Sequence, residues 1–216
     1  MYDDAPSRYD ANRREMVETQ LRARGIYDSR VLQSMLHVPR HEFVPPESRA
    51  QAYQDRPLSI GEEQTISQPF IIAVSLQALA LNGSECVLEV GTGSGYQTAL
   101  LCLLAKQVYS VERHASLAHR AETTLLQLGF SVRVSVADGT LGWKVYAPYD
   151  AILVSAAAPS VPGSLVEQLA NGGRLVIPVG PPHAQELQLI RKHGTAITVK
   201  TLDGCRFVPL VGAEGY

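Results

Sequence analysis

Cysteine and long apolar runs are scarce in this chain of 216 residues. The three cysteines, Cys86, Cys102 and Cys205, lie far apart and form no C-x-x-C pair, which argues against a disulfide framework and against a zinc site. No apolar stretch approaches the ~18–20 residues that a membrane helix needs, so we expect no membrane partner. The first residues lack the basic and then apolar pattern of a signal peptide, so we expect the protein in the cytoplasm.

A surplus of basic residues is also missing. Lys and Arg together number 19, against 21 Asp and Glu, which leaves a net charge of −2. A nucleic-acid groove normally shows as an excess of basic residues, so we expect no nucleic-acid partner. The apolar content is high, at 45%, and together with the small net charge it argues against a disordered chain. We expect a globular monomer that needs no metal ion.

The sequence pattern changes near residue 82. Residues 1–81 combine short helical patterns with a proline-rich, turn-rich stretch at 39–69, and this predicts a helical and loop-rich cap that carries part of the functional site. Residues 82–216 alternate short apolar runs with helical patterns, which predicts an α/β domain with a mostly parallel sheet and helices on both faces. Residues 185–202 predict a C-terminal antiparallel hairpin. We expect cap and domain to form one compact unit.

The sharpest motif is a glycine loop at residues 89–95, EVGTGSG, which joins an apolar run to the next predicted helix. Glycine lets the backbone turn tightly and lets a ligand approach the N–H groups of the loop. A dinucleotide fingerprint needs G-x-G-x-x-G, and Tyr96 occupies the position of its third glycine. The G-x-G-x-G spacing after Glu89 suits S-adenosylmethionine better. The alternative is a tight turn that binds no ligand.

Two more acidic residues follow the next two predicted strands. Glu112 ends the apolar run at 108–111, where a carboxylate can accept hydrogen bonds from a ribose diol. Asp138 follows the third run and is a candidate acceptor for an adenine amino group. The alternatives are an exposed charge at a strand end and a turn former. Since open α/β sheets bind ligands at the carboxyl ends of their strands, we expect the glycine loop and both acids to share one site.

With these motifs the chain resembles the protein-L-isoaspartate (D-aspartate) O-methyltransferase family from roughly Met16 to Gly212. The segments that carry the resemblance are 38–45 (VPRHEFVP), 52–58 (AYQDRPL), 64–69 (QTISQP), the glycine loop with Tyr96-Gln97, 155–159 (SAAAP), 172–180 (GGRLVIPVG) and 206–210 (RFVPL). The glycine loop is shared by many methyltransferases, whereas QTISQP and RFVPL are far more specific. One departure is Glu63, which replaces a usual glycine and adds negative charge near the mouth expected for an anionic substrate.

The resemblance implies a Rossmann-like methyltransferase fold that uses S-adenosyl-L-methionine. It implies methylation of the free carboxyl of L-isoaspartyl, and by the family's name D-aspartyl, residues in damaged proteins, which starts repair through a methyl ester and a succinimide. Ser67 is the implied catalytic residue. The implied cofactor-binding residues are Glu89, Gly91, Thr92, Gly93, Ser94, Gly95, Gln97, Glu112, Arg113, Asp138 and Gly139. The implied substrate-binding residues are Thr65, Ile66, Gln68, Pro69, Ala156, Ala157, Arg206 and Val208.

Methyl transfer from S-adenosylmethionine to a carboxylate needs few catalytic side chains. The carboxylate is a nucleophile at neutral pH, and the sulfonium methyl is already activated. The protein has to hold the reactants in line and exclude water. A hydroxyl such as that of Ser67 can orient the carboxylate, although a serine just before a helix also suits helix capping. Two other functions stay open: a same-fold methyltransferase for a dedicated peptide or small-molecule carboxylate, and a non-catalytic binding module. The intact glycines, Glu112 and Ser67 argue against the binding module.

Overall fold

The computed structural model of the chain describes residues 8–216, so residues 1–7 of the predicted cap lie outside it. The helices are α1 (Arg8–Glu15), α2 (Ser29–His37), α3 (Pro69–Leu79), α4 (Tyr96–Leu104), α5 (Ala115–Gln127) and α6 (Gly163–Gln168). The strands are β1 (Leu58–Gly61), β2 (Gln64–Ile66), β3 (Cys86–Val90), β4 (Gln107–Glu112), β5 (Arg133–Val136), β6 (Tyr149–Val154), β7 (Leu169–Val179), β8 (Gln185–His193) and β9 (Ala196–Cys205). Helix α1 continues through a π-helical stretch, Met16–Leu21, and a 3-10 turn, Arg22–Arg24.

Strands β3 to β9 form one sheet in the spatial order β5-β4-β3-β6-β7-β8-β9. Strands β3 to β7 pair in parallel, and β8 and β9 add to one edge as an antiparallel hairpin. The chain runs outward from β3 to β5 and then returns to β6, so its direction of progress reverses between β3 and β6. Open α/β sheets bind ligands at such a reversal. The predicted α/β class, parallel sheet and terminal hairpin are confirmed.

Each central strand sends alternate side chains into two apolar cores, one on each face of the sheet. On one face Val87 packs in a core that also contains cap residues such as Leu32 and Leu76. On the other face Leu88 packs in a second core with Leu165 of α6. Helices therefore cover both faces, and the cap packs directly on the sheet.

Local signals account for the helix ends in the cap. Asp28 is the N-cap of α2, and its carboxylate accepts hydrogen bonds from the backbone N–H groups of Arg30 and Val31. Gly25 ends the preceding helical stretch with a φ of +92°, a conformation that favours glycine. The pattern predicts the next helix from residue 71, but α3 already begins at Pro69, because proline is well suited to the first turn of a helix.

The proline-rich stretch at 39–69 contains a small β-hairpin that its sequence does not predict, since the strands β1 and β2 have only four and three residues. Two contacts hold this hairpin against α5. The carboxylate of Glu62 at its tip accepts a hydrogen bond from the Ser116 hydroxyl at 2.5 Å. Arg120 donates to the carbonyl of Ile60 at 2.8 Å. The hairpin therefore brings the following residue, Ser67, to the carboxyl edge of the sheet.

Residues 8–216 contain neither a helix suited to crossing a membrane nor a cluster of metal-binding side chains. No helix within the described residues combines the length and the apolar character needed to cross a membrane. Residues 8–216 also hold no group of three His, Cys, Asp or Glu side chains that could bind a metal ion. The three cysteines are free thiols and half-buried.

Candidate functional site

The glycine loop lies where the sheet reverses, between the end of β3 and the start of α4. Gly91 and Gly93 have φ values of +92° and +54°, a region that favours glycine. A Cβ at Gly91 would lie 3.4 Å from the Cβ of Ser155. The Gly91 N–H donates to the carbonyl of Val111 at 2.8 Å, and the Ser155 N–H donates to that of Val90 at 2.9 Å. The neighbouring strand ends therefore fix the loop and leave bare backbone beside them.

Glu112 supplies a carboxylate at the end of β4, directly beside the loop. Its side chain is only 5% exposed. One carboxylate oxygen accepts the N–H of Gly93 at 2.9 Å, and the other accepts the N–H of His114 at 2.9 Å. Glu112 therefore holds the loop by these two hydrogen bonds. Since each carboxylate oxygen can accept more than one hydrogen bond, Glu112 can also accept hydrogen bonds from a ligand.

Two cavities meet at this edge of the sheet. The first, called the loop cavity, is lined by Gln64, Thr65, Ile66, Ser67, Ile72, Val90, Gly91, Thr92, Gly93, Ser94, Gln97, Val111, Glu112, Arg113, His114, Gly139, Ser155, Ala156, Val208, Pro209, Leu210 and Val211. The second, called the outer cleft, is lined by Pro57, Thr65, Ser67, Gln68, Ile71, Ser155, Gly204, Cys205, Arg206, Phe207 and Val208. Thr65, Ser67, Ser155 and Val208 line both cavities. These four residues form a shared wall, so the two cavities lie next to each other.

Ser67 is half-buried on the shared wall, between β2 and α3. The N-cap of α3 is Gln68, whose side chain makes no capping hydrogen bond. The first-turn N–H of Phe70 donates instead to the carboxylate of Asp55 at 3.2 Å. Within residues 8–216 the hydroxyl of Ser67 has no hydrogen-bond partner, whereas its carbonyl accepts a hydrogen bond from Arg40 at 2.8 Å. The alternative role of Ser67 as a helix cap is therefore wrong, and its hydroxyl is available to a ligand.

Glu89 lies behind the wall of the loop cavity. Its fully buried carboxylate accepts hydrogen bonds from the hydroxyls of Thr98 and Ser110, at 2.5 and 2.7 Å. It also accepts the amide of Gln97 at 3.1 Å, and this amide donates to the Ser155 hydroxyl at 2.6 Å. Glu89, which the motif places beside the ligand, is thus buried behind the cavity wall. Its contact with the cavity is indirect, through Gln97, which lines the cavity.

Asp138, like Glu89, does not line the loop cavity. One carboxylate oxygen accepts the N–H and the hydroxyl of Thr140 at 2.9 and 2.7 Å, and the other accepts the N–H of Ala213 at 2.8 Å. Burial alone would raise the pKa of Asp138, but these hydrogen bonds outweigh it and lower the pKa. At the neighbouring Gly139, which does line the cavity, a Cβ would meet Val90 Cγ1 at 2.5 Å. Gly139 thus lines the loop cavity, whereas Asp138 does not.

Three other predicted site residues line neither cavity. Gly95 is the N-cap of α4, with a φ of +88°. Pro69 is buried in the first turn of α3. Ala157 is fully buried; its N–H donates to the carbonyl of Val208 and its carbonyl accepts the N–H of Leu210, at 2.8 and 2.7 Å. Ala157 therefore holds the C-terminal segment against the cavities by its backbone.

Ser155 and His114 line the loop cavity although neither is among the predicted site residues; Ser155 begins the 155–159 segment. Ser155 follows β6, which pairs with β3 across the reversal, so its position at a strand end was the available signal. His114 follows the end of β4, and its Nε2 is buried without a partner among the described residues. Because buried polar atoms are nearly always hydrogen-bonded, such a nitrogen in a cavity wall points to a bound water or ligand.

The buried carboxyl of Glu89 predicts a pH-dependent stability. Burial raises the pKa of Glu89 to about 7, against the opposing hydrogen bonds from Thr98, Ser110 and Gln97. The folded protein then keeps a proton that the unfolded chain loses near pH 4.5. The contribution of this group to the free energy of unfolding therefore falls as the pH rises from about 4.5 to about 7, by ~3 kcal/mol in total.

We expect Glu89→Gln to remove this pH-dependent loss of stability, because the new amide stays neutral at every pH. Gln97 can rotate its own amide so that the two side chains still form a hydrogen bond. Urea denaturation measures the free energy of unfolding of the variant and of the wild type. The variant's value minus the wild type's should be larger at pH 8 than at pH 5, by ~2–3 kcal/mol. Glu122→Gln, an exposed change on α5, is the control and should show no such trend. An equal difference between Glu89→Gln and the wild type at both pH values would contradict the argument.

Comparison with known proteins covers nearly the whole chain. Residues 11–215 match the family described as protein-L-isoaspartate(D-aspartate) O-methyltransferase. Protein-L-isoaspartate O-methyltransferase 1 of Syntrophobacter fumaroxidans is 54% identical over 205 residues, which cover 94% of this chain and 96% of that protein. The protein-L-isoaspartate O-methyltransferase of Syntrophus aciditrophicus is 52% identical over 213 residues, 97% of this chain and 98% of that protein.

Solved structures show the same fold. A protein-L-isoaspartate O-methyltransferase superposes with a TM-score of 0.83 at 28% identity, over 94% of this chain and 67% of that one. A Plasmodium falciparum chain described as a beta-aspartate methyltransferase, in complex with S-adenosyl-L-homocysteine, superposes with a TM-score of 0.78 at 26% identity, over 93% and 98% of the two chains. By the family match over residues 11–215 and by these relatives, the chain belongs to the protein-L-isoaspartate(D-aspartate) O-methyltransferase family.

Proposed function

We propose that the loop cavity holds S-adenosyl-L-methionine and the outer cleft holds an isoaspartyl residue of a damaged protein. The reaction of the family is methylation of the free carboxyl of L-isoaspartyl residues, with S-adenosyl-L-methionine as the methyl donor. The observation that carries the placement is the wall common to both cavities, formed by Thr65, Ser67, Ser155 and Val208. The methyl group crosses at this wall.

The groups in the loop cavity suit S-adenosyl-L-methionine. The bare backbone at Gly91 and Gly93 leaves room for the methionine part, and Glu112 offers acceptors to the ribose hydroxyls. The buried Nε2 of His114, without a partner in the described residues, is one more polar atom for the cofactor. The negative charge of Glu112 attracts a ligand that carries an ammonium and a sulfonium. When bound, this cofactor supplies a methyl group already activated by the positive sulfur.

The chain's own contribution to the transfer is positioning. The substrate carboxylate is a nucleophile at neutral pH, so no side chain has to remove a proton. The Ser67 hydroxyl donates a hydrogen bond to one carboxylate oxygen and leaves the other for the transfer. Held in the two cavities, the reactants are aligned and shielded from water, which is the main source of the rate increase.

Charge in the outer cleft favours an anionic substrate. Arg206 lines the cleft, together with the polar side chains of Thr65 and Gln68. An isoaspartyl residue carries a free carboxylate, which the guanidinium of Arg206 attracts. Glu63 lies exposed at the tip of the β1–β2 hairpin and lines neither cavity, so its negative charge opposes the substrate less than its place in the sequence suggests.

A pair of peptides tests this function. We expect an isoaspartyl peptide to be methylated far faster than its normal aspartyl twin, because only the isoaspartyl linkage presents its carboxylate on the kinked backbone that the cleft accepts. Methanol released from the ester measures the rate. Equal rates on both peptides, or no activity on either, would contradict the proposal and favour a methyltransferase of the same fold for a dedicated peptide or small-molecule carboxylate.

We further propose that the chain acts as a monomer in the cytoplasm. Both cavities and their shared wall are built from one copy of the chain. Sedimentation equilibrium should give a mass near 23.5 kDa for the active protein. A stable mass of twice that value would contradict the monomer.

A further inference from the structure

Arg40 is a fully buried arginine whose hydrogen-bond acceptors are backbone carbonyls. Its side chain is 0% exposed. Nε donates to the carbonyl of Ala52 at 2.7 Å, and Nη2 donates to the carbonyl of Ser67 at 2.8 Å. The guanidinium carbon lies 4.9 Å from the centre of the Tyr96 ring. Nη1 is buried without a partner among the described residues.

Burial of this guanidinium costs free energy. The loss of solvent lowers the pKa of Arg40 to about 10, so the side chain stays protonated at neutral pH. An apolar side chain of similar volume often serves packing as well as a buried ion does, or better. The presence of a charge here is therefore better explained by what the guanidinium holds than by the volume that it fills.

The guanidinium of Arg40 joins three segments that build the site. Ala52 belongs to the cap, Ser67 lies on the shared wall, and Tyr96 begins α4 directly after the glycine loop. A planar guanidinium holds its donors at fixed angles, so two carbonyls bound to it keep a fixed separation. The backbone that carries the Ser67 hydroxyl is thereby tied to the segment around Ala52 and to the start of α4.

We propose that Arg40 is a positioning residue that fixes the backbone of Ser67, so that its hydroxyl meets the substrate carboxylate. This inference rests on the proposed role of Ser67. Losing the two-carbonyl contact should shift the hydroxyl without opening the loop cavity, because the glycine loop is held by Val111 and Glu112 instead.

The variant Arg40→Lys tests the proposal, because lysine keeps the positive charge but cannot hold two carbonyls in a planar fork. We expect kcat on an isoaspartyl peptide to fall about tenfold, as small misplacements of reacting groups do. The dissociation constant of S-adenosylhomocysteine, measured by calorimetry, should stay unchanged. The matched control is Arg30→Lys: Arg30 also donates to two carbonyls, those of Leu81 and Leu104 at 2.8 and 3.0 Å, but neither of these two residues lines a cavity, whereas Ser67 lines both.

A double variant separates positioning from a structural role. If Arg40 acts through Ser67, adding Arg40→Lys to Ser67→Ala should lower kcat no further, because the hydroxyl is already absent. The same loss factor in both backgrounds would overturn the inference, and so would wild-type kcat in Arg40→Lys. Loss of one-to-one binding of S-adenosylhomocysteine in Arg40→Lys would also overturn it, since Arg40 would then support the loop cavity itself. Wild-type turnover in Ser67→Ala alone would instead remove the proposed role of Ser67, which distinguishes the two failures.

Discussion

Ser67→Ala should lower the turnover of an isoaspartyl peptide by ~30- to 1000-fold, which corresponds to ~2–4 kcal/mol of activation free energy. The reason is the place of Ser67, which lines both cavities and whose hydroxyl has no hydrogen-bond partner within residues 8–216. Without this donor, the substrate carboxylate loses the hydrogen bond that orients one oxygen. The affinity for S-adenosyl-L-methionine should stay nearly unchanged, because the glycine loop and Glu112 hold it.

The control for this prediction is Ser75→Ala. Ser75 lies in α3, its hydroxyl donates to the carbonyl of Ile71 at 2.8 Å, and it lines neither cavity. We expect this variant to keep wild-type turnover. Turnover, cofactor affinity and the unfolding midpoint should be measured on both variants. A folded Ser67→Ala protein with wild-type turnover would leave positioning by the backbone as the only explanation. A purely structural serine would show a stability loss of ~0.5–2 kcal/mol with normal turnover.

Glu112→Ala should weaken the binding of S-adenosyl-L-methionine by ~1.5–3 kcal/mol, roughly ten- to a hundredfold in the dissociation constant. The ribose loses a charged acceptor. The variant also leaves the N–H groups of Gly93 and His114 without the carboxylate that accepts them at 2.9 Å. We therefore expect the unfolding midpoint of the ligand-free protein to fall as well, because the loop loses its support at β4.

Two variants sharpen the test of Glu112. Glu122→Ala removes an exposed acid from α5 and should change neither affinity nor midpoint. Asp138→Ala should affect cofactor affinity less than Glu112→Ala, because the Asp138 oxygens already accept hydrogen bonds from Thr140 and Ala213. Calorimetric titration measures all three. Unchanged affinity in Glu112→Ala, or a larger loss in Asp138→Ala, would contradict the assignment of the ribose to Glu112.

Local patterns in the sequence were sufficient for the fold class and for one side of the site. Alternating apolar runs and helical patterns predict the parallel sheet, because each depends on backbone preferences within a few residues. The N-cap at Asp28 and the helix end at Gly25 follow from the same short-range preferences. The glycine loop and Glu112 meet because carboxyl ends of parallel strands share one edge of a sheet, which the order of elements already implies.

The direction of the acidic side chains was decided by tertiary contacts. Glu89 is the first residue of the EVGTGSG motif, yet its carboxylate accepts hydrogen bonds from Thr98 on α4 and Ser110 on β4. Asp138 is occupied by Ala213, 75 residues further along the chain. Successive side chains of a strand point to opposite faces, and which face holds polar partners depends on the neighbouring elements.

The meeting of the two cavities is likewise a property of the folded chain. Ser67 comes from the cap, Ser155 from the end of β6 and Val208 from the C-terminal segment, and the shared wall exists only where the three pack together. The burial of Arg40 against the carbonyl of Ser67 has the same origin. Motifs identify which residue types are present, and short-range preferences determine the elements. Contacts between distant segments are set by packing of the whole chain, and in this protein they form the wall between donor and acceptor.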